Sequence, residues 1–568
     1  MHKTICTLLL LLSVCQLFAQ SRAKEIRDLR RIVGYLASAE LGGRFPGTRG
    51  DTLAADFIVG RLGKAGLTPW YETWFQPFSL PGTKRIDGAN SLSIGGRSLD
   101  RGSDYQPLPF SASGRVSGEV VYAGMGTRGG DLQGKCALLL VPPPGHGMAG
   151  RDESPASALR NRALEAQDRG AAAVLFVSMP DTPDSTDLSG VRESPLRIPA
   201  VRLDRAIAVE IFGRELLTPP AAMHPMSMSA AVPTGLQAAL ETTIRQDEIP
   251  ARNIVAWLPG SDPGLKDEYI IIGAHYDHLG LGGPGSGSRR PDTTAVHPGA
   301  DDNASGIAAL LTLARHLRKA KPARSVIFAA FSAEEEGVVG SKHFTANLPV
   351  DSSLVSAMFN IDMVGSLRAS ALTVGGSGTS AESDSLIRAH AAGSGLHVTC
   401  SPQGHGPSDH APFYAKGIPV FYFTTGGTMT YHTPGDQPAT INYEGMDSVI
   451  SYVAALATDV ANRPARLSFR ESGPANAAPM RAQFKVTLGL MPDVTGSSND
   501  GLRADIVVKG KPADRAGMRT GDVIVEVDGK SVSNIEDYMA RLAQLRAGTT
   551  IDVKVRRGGE TLVLKVEL

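Results

Sequence analysis

The sequence predicts an α/β fold, in which a mostly parallel central sheet is covered by helices. Three observations support this prediction. From about Ala251 onwards, apolar runs of strand length alternate with amphipathic helical segments, the pattern of a parallel sheet that is covered on both faces. Before this region, short β-type runs surround one helical segment. After it, a segment of weak periodicity leads into strands that are separated by glycine turns. The sequence therefore predicts a β-rich insert and a smaller β-rich C-terminal unit beside the main domain.

Composition limits the functional classes. The chain has 568 residues, which is too long for one domain. Its apolar content of 42% and charged content of 20% are typical of a soluble globular protein. Lys and Arg together number 57, as do Asp and Glu, so the formal net charge is zero. Nothing in this balance indicates a nucleic-acid partner or an anionic membrane surface.

Residues 1–19 have the pattern of a secretory signal peptide. A basic start at His2-Lys3 precedes an apolar run from Ile5 to Val14, and Ala19 offers a small residue for cleavage. The run is too short to span a membrane as a mature helix. We therefore predict an exported protein, periplasmic or extracellular, without stable membrane insertion. A lipoprotein is a minor alternative, because it would require a residue smaller than Val14 before Cys15.

The next segments are assigned in chain order. Residues 20–84 are predicted to open the main domain with two helices, separated by a break rich in glycine and proline. Residues 85–240 are predicted to form the insert, and residues 241–462 the rest of the main domain. The predicted strands of this last region are Asn253–Leu258, Tyr269–Ala274, Ser325–Phe331, Val355–Ile361, Leu372–Val374 and Val420–Phe423. The predicted helices among them are Ser305–Lys319, Ser383–Ala392 and Gly445–Ala461.

The last part of the chain is predicted to be a linker and a compact unit. Residues 463–483 are rich in Pro, Ala, Ser and Arg and predict a linker. Residues 484–568 contain a hairpin signal at Asp528-Gly529, a helical segment and two closing strands. Two cysteines, Cys136 and Cys400, stand outside the signal peptide; a disulfide between them is one alternative, but the chain has no disulfide framework.

Five motifs carry metal-binding side chains in the main domain. They are Gly273–His278, Pro298–Gly306, Ala333–Gly337, Asn360–Gly365 and Tyr431–Asp436. Three of them lie at or just after the carboxyl ends of predicted strands, where ligands gather in folds of this kind. A single His-x-Asp pair is more often structural than metal-binding. All five together, in an α/β pattern, predict a two-metal hydrolytic site, since imidazole and carboxylate ligands suit zinc.

The order and local sequence of these motifs resemble the secreted co-catalytic di-zinc aminopeptidases, which are relatives of glutamate carboxypeptidase. The resemblance covers about Ile26–Trp74 and Asn253–Ala461 and implies the zinc exopeptidase type of fold with two zinc ions per chain. It implies these roles: His275 and Asp362 bind one zinc, Glu335 and His432 bind the other, Asp302 bridges both before a cis peptide to Asn303, Asp277 orients His275, Glu334 is the general base for a metal-bridging hydroxide, and Tyr431 polarises the scissile carbonyl. Glu336 stands where the family has an apolar residue. The register of the glutamates is therefore open by one, although Gly337 and Gly340-Ser341 favour Glu334-Glu335.

The other two units also resemble known domains. The runs Asp131–Leu140 and Gly170–Phe176 of the insert resemble a protease-associated domain, with a generic small α/β insert as the alternative. Residues 484–568 resemble a PDZ domain of secreted bacterial proteases, mainly through Ala516–Lys530. Thr487-Leu488-Gly489-Leu490 stands where such domains receive a peptide C-terminus at a sheet edge. A packing module without a ligand is the alternative.

The sequence therefore predicts an exported zinc aminopeptidase that acts on peptide substrates. A carboxypeptidase or dipeptidase on the same di-zinc site is the enzymatic alternative. A non-catalytic peptide-binding protein is an alternative of another class, but it predicts lost ligands, whereas all five are present. Ser408-Asp409-His410 is not expected to be a nucleophilic triad, because adjacent residues do not converge on one acyl centre; we predict an orienting or structural role. His278 and His297 are predicted not to be ligands.

Overall fold

A computed structural model describes most of the chain. The described residues are 20–125, 131–142, 155–180, 182, 195–217, 231–283, 286–290, 292–472, 486–492, 500–507, 509–533 and 535–568. They divide into two units, the first within Met1–Leu80 and Ile249–Ala477, the second within Pro81–Glu248 and Ala478–Leu568. The predicted signal peptide and residues 473–483 of the predicted linker lie outside the described residues. The predicted domain boundaries stay predictions.

The described secondary structure is as follows. The strands are β1 (Thr68–Pro69), β2 (Phe75–Ile86), β3 (Ser91–Ile94), β4 (Arg97–Leu99), β5 (Tyr105–Pro107), β6 (Gly114–Tyr122), β7 (Cys136–Val141), β8 (Ala173–Ser178), β9 (Ala200–Leu203), β10 (Val232–Thr242), β11 (Ile244–Leu258), β12 (Tyr269–His275), β13 (Ser325–Phe331), β14 (Val355–Ile361), β15 (Ala371–Gly375), β16 (His397–Ser401), β17 (Val420–Thr424), β18 (Leu490–Pro492), β19 (Leu502–Val507), β20 (Val523–Val527), β21 (Lys530–Ser531), β22 (Thr550–Arg557) and β23 (Glu560–Glu567). The helices are α1 (20–36), α2 (Arg49–Lys64), α3 (Pro155–Asp168), α4 (Arg205–Phe212), α5 (Gly306–Ala320), α6 (Val339–Ala346), α7 (Ser383–Ala391), α8 (His410–Ala415), α9 (Tyr443–Asn462), α10 (Pro512–Arg515) and α11 (Ile535–Leu542).

The first unit is built on a nine-stranded mixed sheet. Its order is β1-β11-β13-β12-β14-β17-β15-β16, with β2 paired to β11. The central strands β13, β12, β14 and β17 are parallel, while β11 pairs antiparallel with β13 and β15 antiparallel with β17. The predicted α/β fold with a mostly parallel centre is confirmed. The half-buried strand β16 was not predicted, because its short polar sequence lacks an apolar run.

Both faces of this sheet are covered. Along β12, Ile270 and Ile272 join the core that α1, α2, α5 and α9 cover, whereas Ile271 joins a second core with Phe344 of α6 and Phe413 of α8. This alternation follows from the two-residue period of a strand. Because β12, β13 and β14 are parallel, their carboxyl ends meet at one edge of the sheet. The edge brings His275, the glutamates after Phe331 and Asp362 into one region.

The second unit contains two sheets. The insert forms an eight-stranded sheet of order β4-β3-β10-β6-β7-β8-β9-β5, in which β6 to β9 are parallel. The C-terminal unit forms a six-stranded sheet of order β18-β19-β20-β22-β23, with β21 paired to β20. Each has its own apolar core.

Within the second unit, helix α11 of the C-terminal unit packs against helix α3 of the insert. Arg160 of α3 lies 2.8 Å from Asp537 of α11, with 1% and 3% of their side chains exposed. Arg541 makes two contacts with Asp168, at 2.6 and 2.8 Å. Ala540 packs against the core that α3 covers. The C-terminal unit is therefore docked on the insert by a buried ionic cluster, a feature that the sequence did not predict.

Residues 463–472, the first part of the predicted linker, belong to the first unit. Leu467 is buried in the larger core, and the Arg470 N–H donates to the main-chain oxygen of Thr379 at 2.8 Å. This segment is therefore packed and does not act as a free linker. Among the described helices, none has the combination of length and apolarity that crossing a bilayer requires. Cys136 and Cys400 are both free thiols.

Candidate metal centre

Strand ends and loops deliver the predicted ligands to one place. His275 is the last residue of β12, and Asp362 directly follows β14. Glu334 and Glu335 follow β13 after two intervening residues. Asp302 lies in the irregular turn Ala300–Ser305 before α5, and its peptide bond to Asn303 is cis, as the resemblance implied. The structure brings these residues together with His432 of the loop before α9.

Asp302 stands between two histidines. His275 Nε2 lies 3.3 Å from Asp302 Oδ1 and 3.4 Å from Asp362 Oδ1. His432 Nε2 lies 3.2 Å from Asp302 Oδ2 and 3.0 Å from Glu335 Oε2. The two oxygens of one carboxylate thus face different imidazoles, which is the arrangement that a bridging ligand requires. Tyr431 stacks on His432, with ring centroids 3.8 Å apart.

The imidazoles present lone pairs to these carboxylates. His275 Nδ1 lies 3.3 Å from the main-chain oxygen of Asp277, and His432 Nδ1 lies 3.0 Å from that of Gly287. Donation from Nδ1 leaves Nε2 as an acceptor in each neutral ring. A lone pair that faces carboxylate oxygens is stable only with a cation between them, either a proton or a metal ion.

Unsatisfied buried atoms supply the test of whether a metal fits. Among the described residues, Asp362 Oδ1 and His432 Nε2 are buried atoms of this site that have no hydrogen-bond partner of acceptable geometry. Buried polar atoms without partners are costly. Metal coordination would satisfy these atoms, and a set of imidazole nitrogens and carboxylate oxygens suits zinc. The residues present therefore fit zinc.

The carboxylates of the site favour a positive charge on His275 and His432. Burial lowers the pKa of His432, but Asp302 and Glu335 outweigh burial and raise this pKa to about 10. The pKa of His275 is likewise raised, since burial is outweighed by Glu334 and its other carboxylate neighbours. Burial raises the pKa of Glu334, and the nearby carboxylates of Asp409 and Glu335 add to this effect against the opposing charge of His275. Glu334 is therefore the member of the site with an enhanced affinity for a proton.

Asp277 holds the glutamate pair through the main chain. Its carboxylate accepts the N–H of Glu334 at 3.1 Å and that of Glu335 at 3.3 Å. Its Oδ1 is 3.6 Å from His275 Nδ1, which is too long for a direct hydrogen bond. The main-chain oxygen of Asp277 is the nearer acceptor for that imidazole, so this aspartate orients both ligand loops from one position.

Several neighbours of the site were missed or undervalued by sequence reasoning. His278, predicted not to be a ligand, places Nδ1 2.6 Å from Glu335 Oε1 and lies in a metal-compatible group with Asp302 and Glu335. Asp436 accepts the main-chain N–H groups of Asp301 and Asp302, both at 3.0 Å. The position of His278, three residues after β12, was an available signal, because ligands gather beyond the carboxyl ends of strands.

Ser408 contacts a predicted ligand directly. Its hydroxyl donates to Asp362 Oδ2 at 2.8 Å and accepts from Asn360 Nδ2 at 2.8 Å. This contact is of the orienting kind that the sequence predicted for Ser408-Asp409-His410.

A glycine-rich loop secures His432. Gly287 accepts from its ring, and the N–H of Arg289 donates to its main-chain oxygen at 2.9 Å. His432 itself has a φ of 53°, and Ala333 and Met363, beside other predicted site residues, have φ values of 59° and 57°. Left-handed backbone at non-glycine residues is unfavourable by about 1 kcal/mol or more and concentrates at functional sites. The surrounding contacts therefore hold the ligand loops in conformations that they would not adopt alone.

Parts of the chain are similar to known proteins. Residues 253–457 match the profile of peptidase family M28, and residues 489–568 match that of a PDZ domain. The chain is 31% identical over 181 residues to leupeptin-inactivating enzyme 1 of Streptomyces exfoliatus, covering 31% of this chain and 36% of that protein. It is 35% identical over 177 residues to aminopeptidase YwaD of Bacillus subtilis, covering 29% and 38%. The matched segment thus spans little more than a third of these curated relatives.

The chain is also similar to a solved structure. The aminopeptidase from Aneurinibacillus sp. strain AM-1 is 25% identical, with a TM-score of 0.46, and the match covers 78% of this chain and 96% of that chain.

Proposed function

We propose that the protein is an exported zinc aminopeptidase that removes N-terminal residues from peptides, because residues 253–457 match peptidase family M28 and residues 489–568 match a PDZ domain. One observation carries the proposal: the Asp302 carboxylate lies between the Nε2 atoms of His275 and His432, at 3.3 and 3.2 Å. An aminopeptidase among the relatives supports this direction of attack. The signal-peptide pattern of residues 1–19 supports export.

The proposed ligand sets follow the contacts. His275 and Asp362 would hold one zinc, Glu335 and His432 would hold the other, and Asp302 would bridge the two. When bound, the ions would activate a water molecule and stabilise the negative charge that develops on the scissile carbonyl. Asp277 keeps Glu334 and Glu335 in place through their main-chain N–H groups.

Glu334 is proposed as the general base. Its carboxylate lies in one group with His275 and Asp362, and burial raises its pKa. A buried carboxylate with a raised pKa can take a proton from the attacking water and return it to the leaving amine. Tyr431, stacked on His432, is proposed to donate its hydroxyl proton in a hydrogen bond to the scissile carbonyl oxygen.

The substrate amine is proposed to be recognised by the same acidic residues. Carboxylate oxygens of Glu334, Glu335 and Asp362 can accept from a free α-amine. At the C-terminal unit, Thr487–Leu490 leads into β18, which begins at Leu490 and is the first strand in the order of its sheet. We propose that this edge receives the C-terminus of a peptide by strand addition, and that the insert is a protease-associated domain.

A peptide panel tests the direction of cleavage. Three forms of one short peptide are compared on the purified mature protein: free at both ends, acetylated at the N-terminus, and amidated at the C-terminus. We expect acetylation to abolish cleavage and amidation to leave turnover nearly unchanged. Cleavage of the acetylated peptide at the rate of the free one would contradict the proposal and favour a carboxypeptidase or an endopeptidase. Loss of cleavage on amidation alone would indicate a carboxypeptidase.

A further inference from the structure

A buried arginine outside the predicted ligand set connects the loops of the metal centre. Arg44 lies between α1 and α2, and its side chain is 0% exposed. Its Nε donates to the main-chain oxygen of Tyr276 at 2.8 Å. Its two terminal nitrogens donate to the main-chain oxygens of Pro298, at 2.7 Å, and Gly299, at 3.0 Å, and one of them also donates to that of Leu36. These four hydrogen bonds all end on carbonyl oxygens.

The bonded segments are those that present predicted ligands. Tyr276 lies between His275 and Asp277, and Pro298-Gly299 directly precedes the turn that contains Asp302. The main chain of residues 43 and 44 also binds the loop after β12. The main-chain oxygen of Arg44 accepts the N–H of His278 at 3.3 Å, and that of Gly43 accepts the N–H of Gly280 at 3.0 Å. A single side chain thus fixes the loop after β12 relative to the loop before α5.

The loop after β12 and the loop before α5 are closely packed at Gly299. A Cβ atom at Gly299 would lie 2.1 Å from the main-chain oxygen of Asp302 and 2.6 Å from the His278 ring. The two loops are therefore in contact at Gly299 and are also joined by the guanidinium of Arg44. A small displacement of either loop would change the distance between His275 Nε2 and the bridging carboxylate.

The charge of Arg44 has a second consequence. Burial lowers its pKa to about 10, opposed by Asp277, Asp302, Asp436 and Glu335, so the guanidinium stays protonated at neutral pH. The guanidinium thus places a positive charge near the carboxylates of the site, while its N–H groups donate to main-chain carbonyl oxygens and not to those carboxylates. The carboxylate oxygens are thereby left available to metal ions, which a direct Arg–carboxylate pair would prevent.

We infer that Arg44 is a positioning residue of the metal centre, which holds the loops carrying His275 and Asp302 at the spacing that two metal ions require. This inference rests on the proposed function. Lysine cannot replace it, because an ammonium group lacks the planar fork that reaches several carbonyl groups at once. Residues that orient metal ligands from outside the coordination sphere typically contribute about 10- to 100-fold to metal affinity or activity.

The test compares Arg44→Lys and Arg44→Gly with the wild-type chain and with Arg49→Lys, a matched control at an exposed arginine of the same segment. Glycine suits this position because Arg44 has a φ of 52°. Zinc content, zinc affinity by chelator competition, kcat and KM are measured with and without millimolar guanidinium. We expect Arg44→Lys to lose at least about 10-fold in zinc affinity and to have a lower kcat at nearly constant KM. In Arg44→Gly, guanidinium should restore zinc affinity and kcat, whereas ethylammonium should not.

Each outcome decides the question. Wild-type zinc affinity in folded Arg44→Lys and Arg44→Gly would overturn the inference while leaving the proposed function intact. Absence of zinc from the active wild-type protein would instead overturn the proposed function. If Arg44→Gly folds only with guanidinium and then binds zinc, the inference is supported. If it fails to fold under both conditions, as judged by circular dichroism, Arg44 serves the fold as a whole and the positioning role is refuted.

Discussion

The ionic cluster between α3 and α11 predicts how firmly the C-terminal unit is held on the insert. The perturbation is Arg541→Met, which removes the guanidinium from a two-contact pair with Asp168 and from the main-chain oxygen of Ser531 but keeps an unbranched apolar side chain. The arginine side chain is 1% exposed and its partner 12% exposed. Removing one member leaves the Asp168 carboxylate unpaired in a largely buried position.

The magnitude follows from this burial. Breaking a fully buried pair typically costs about 3 to 5 kcal/mol. The residual exposure of Asp168 allows partial hydration, so we expect the lower end, about 3 kcal/mol, which corresponds to roughly a 100-fold shift in the docking equilibrium. Burial already raises the pKa of Asp168 despite the opposing charge of Arg541. The unpaired carboxylate would therefore take up a proton more readily than in the wild-type chain.

Hydrogen exchange on the full chain measures the effect. Amides of α3 and α11 that exchange by opening of this interface should exchange roughly 100-fold faster in Arg541→Met. Arg546→Met, a change at an exposed arginine of the same unit, is the control and should exchange like the wild type. The double variant Arg541→Met with Asp168→Asn removes both charges and should recover part of the protection. Unchanged exchange in Arg541→Met, or strictly additive losses in the double variant, would refute the reasoning.

Three further outcomes test the metal centre. Glu334→Gln should keep both metals by elemental analysis, while kcat falls by about 10²- to 10⁴-fold. Glu335→Gln should weaken zinc binding. If Glu334→Gln lost metal and Glu335→Gln kept it, the assignment of the two glutamates would be wrong by one position. Asp302→Ala should lose both metals from tight binding, because the shared carboxylate is gone, and a variant that retains two metals by elemental analysis would contradict the bridging role. A chain that ends at Ser472 contains every predicted ligand and the packed segment 463–472, so we expect it to retain metal and to hydrolyse small aminoacyl substrates; a folded but inactive product would show that the C-terminal unit contributes to the active site.

The sequence predicted much of the framework around the site. The predicted strand Ser325–Phe331 has the bounds of β13, and the predicted Tyr269–Ala274 is one residue shorter than β12. Continuous apolar runs of this kind report burial on both faces, so they define central parallel strands well. The residue types that bind zinc are few, and their order along the chain predicted a site before any contact was known.

The sequence by itself supplied the residue types that suit a metal and determined that His275, Glu335 and Asp362 come at or after the ends of core strands, because residue type and strand periodicity are local properties. The tertiary structure alone decided how these side chains are held. The guanidinium of Arg44 and the ring of His432 bind main-chain oxygens of distant segments, and a main-chain acceptor has no signature in the sequence. The contact of α11 with α3 joins residues more than 370 positions apart. Local patterns report whether a surface is buried, whereas the identity of the surface that covers it depends on the path of the whole chain.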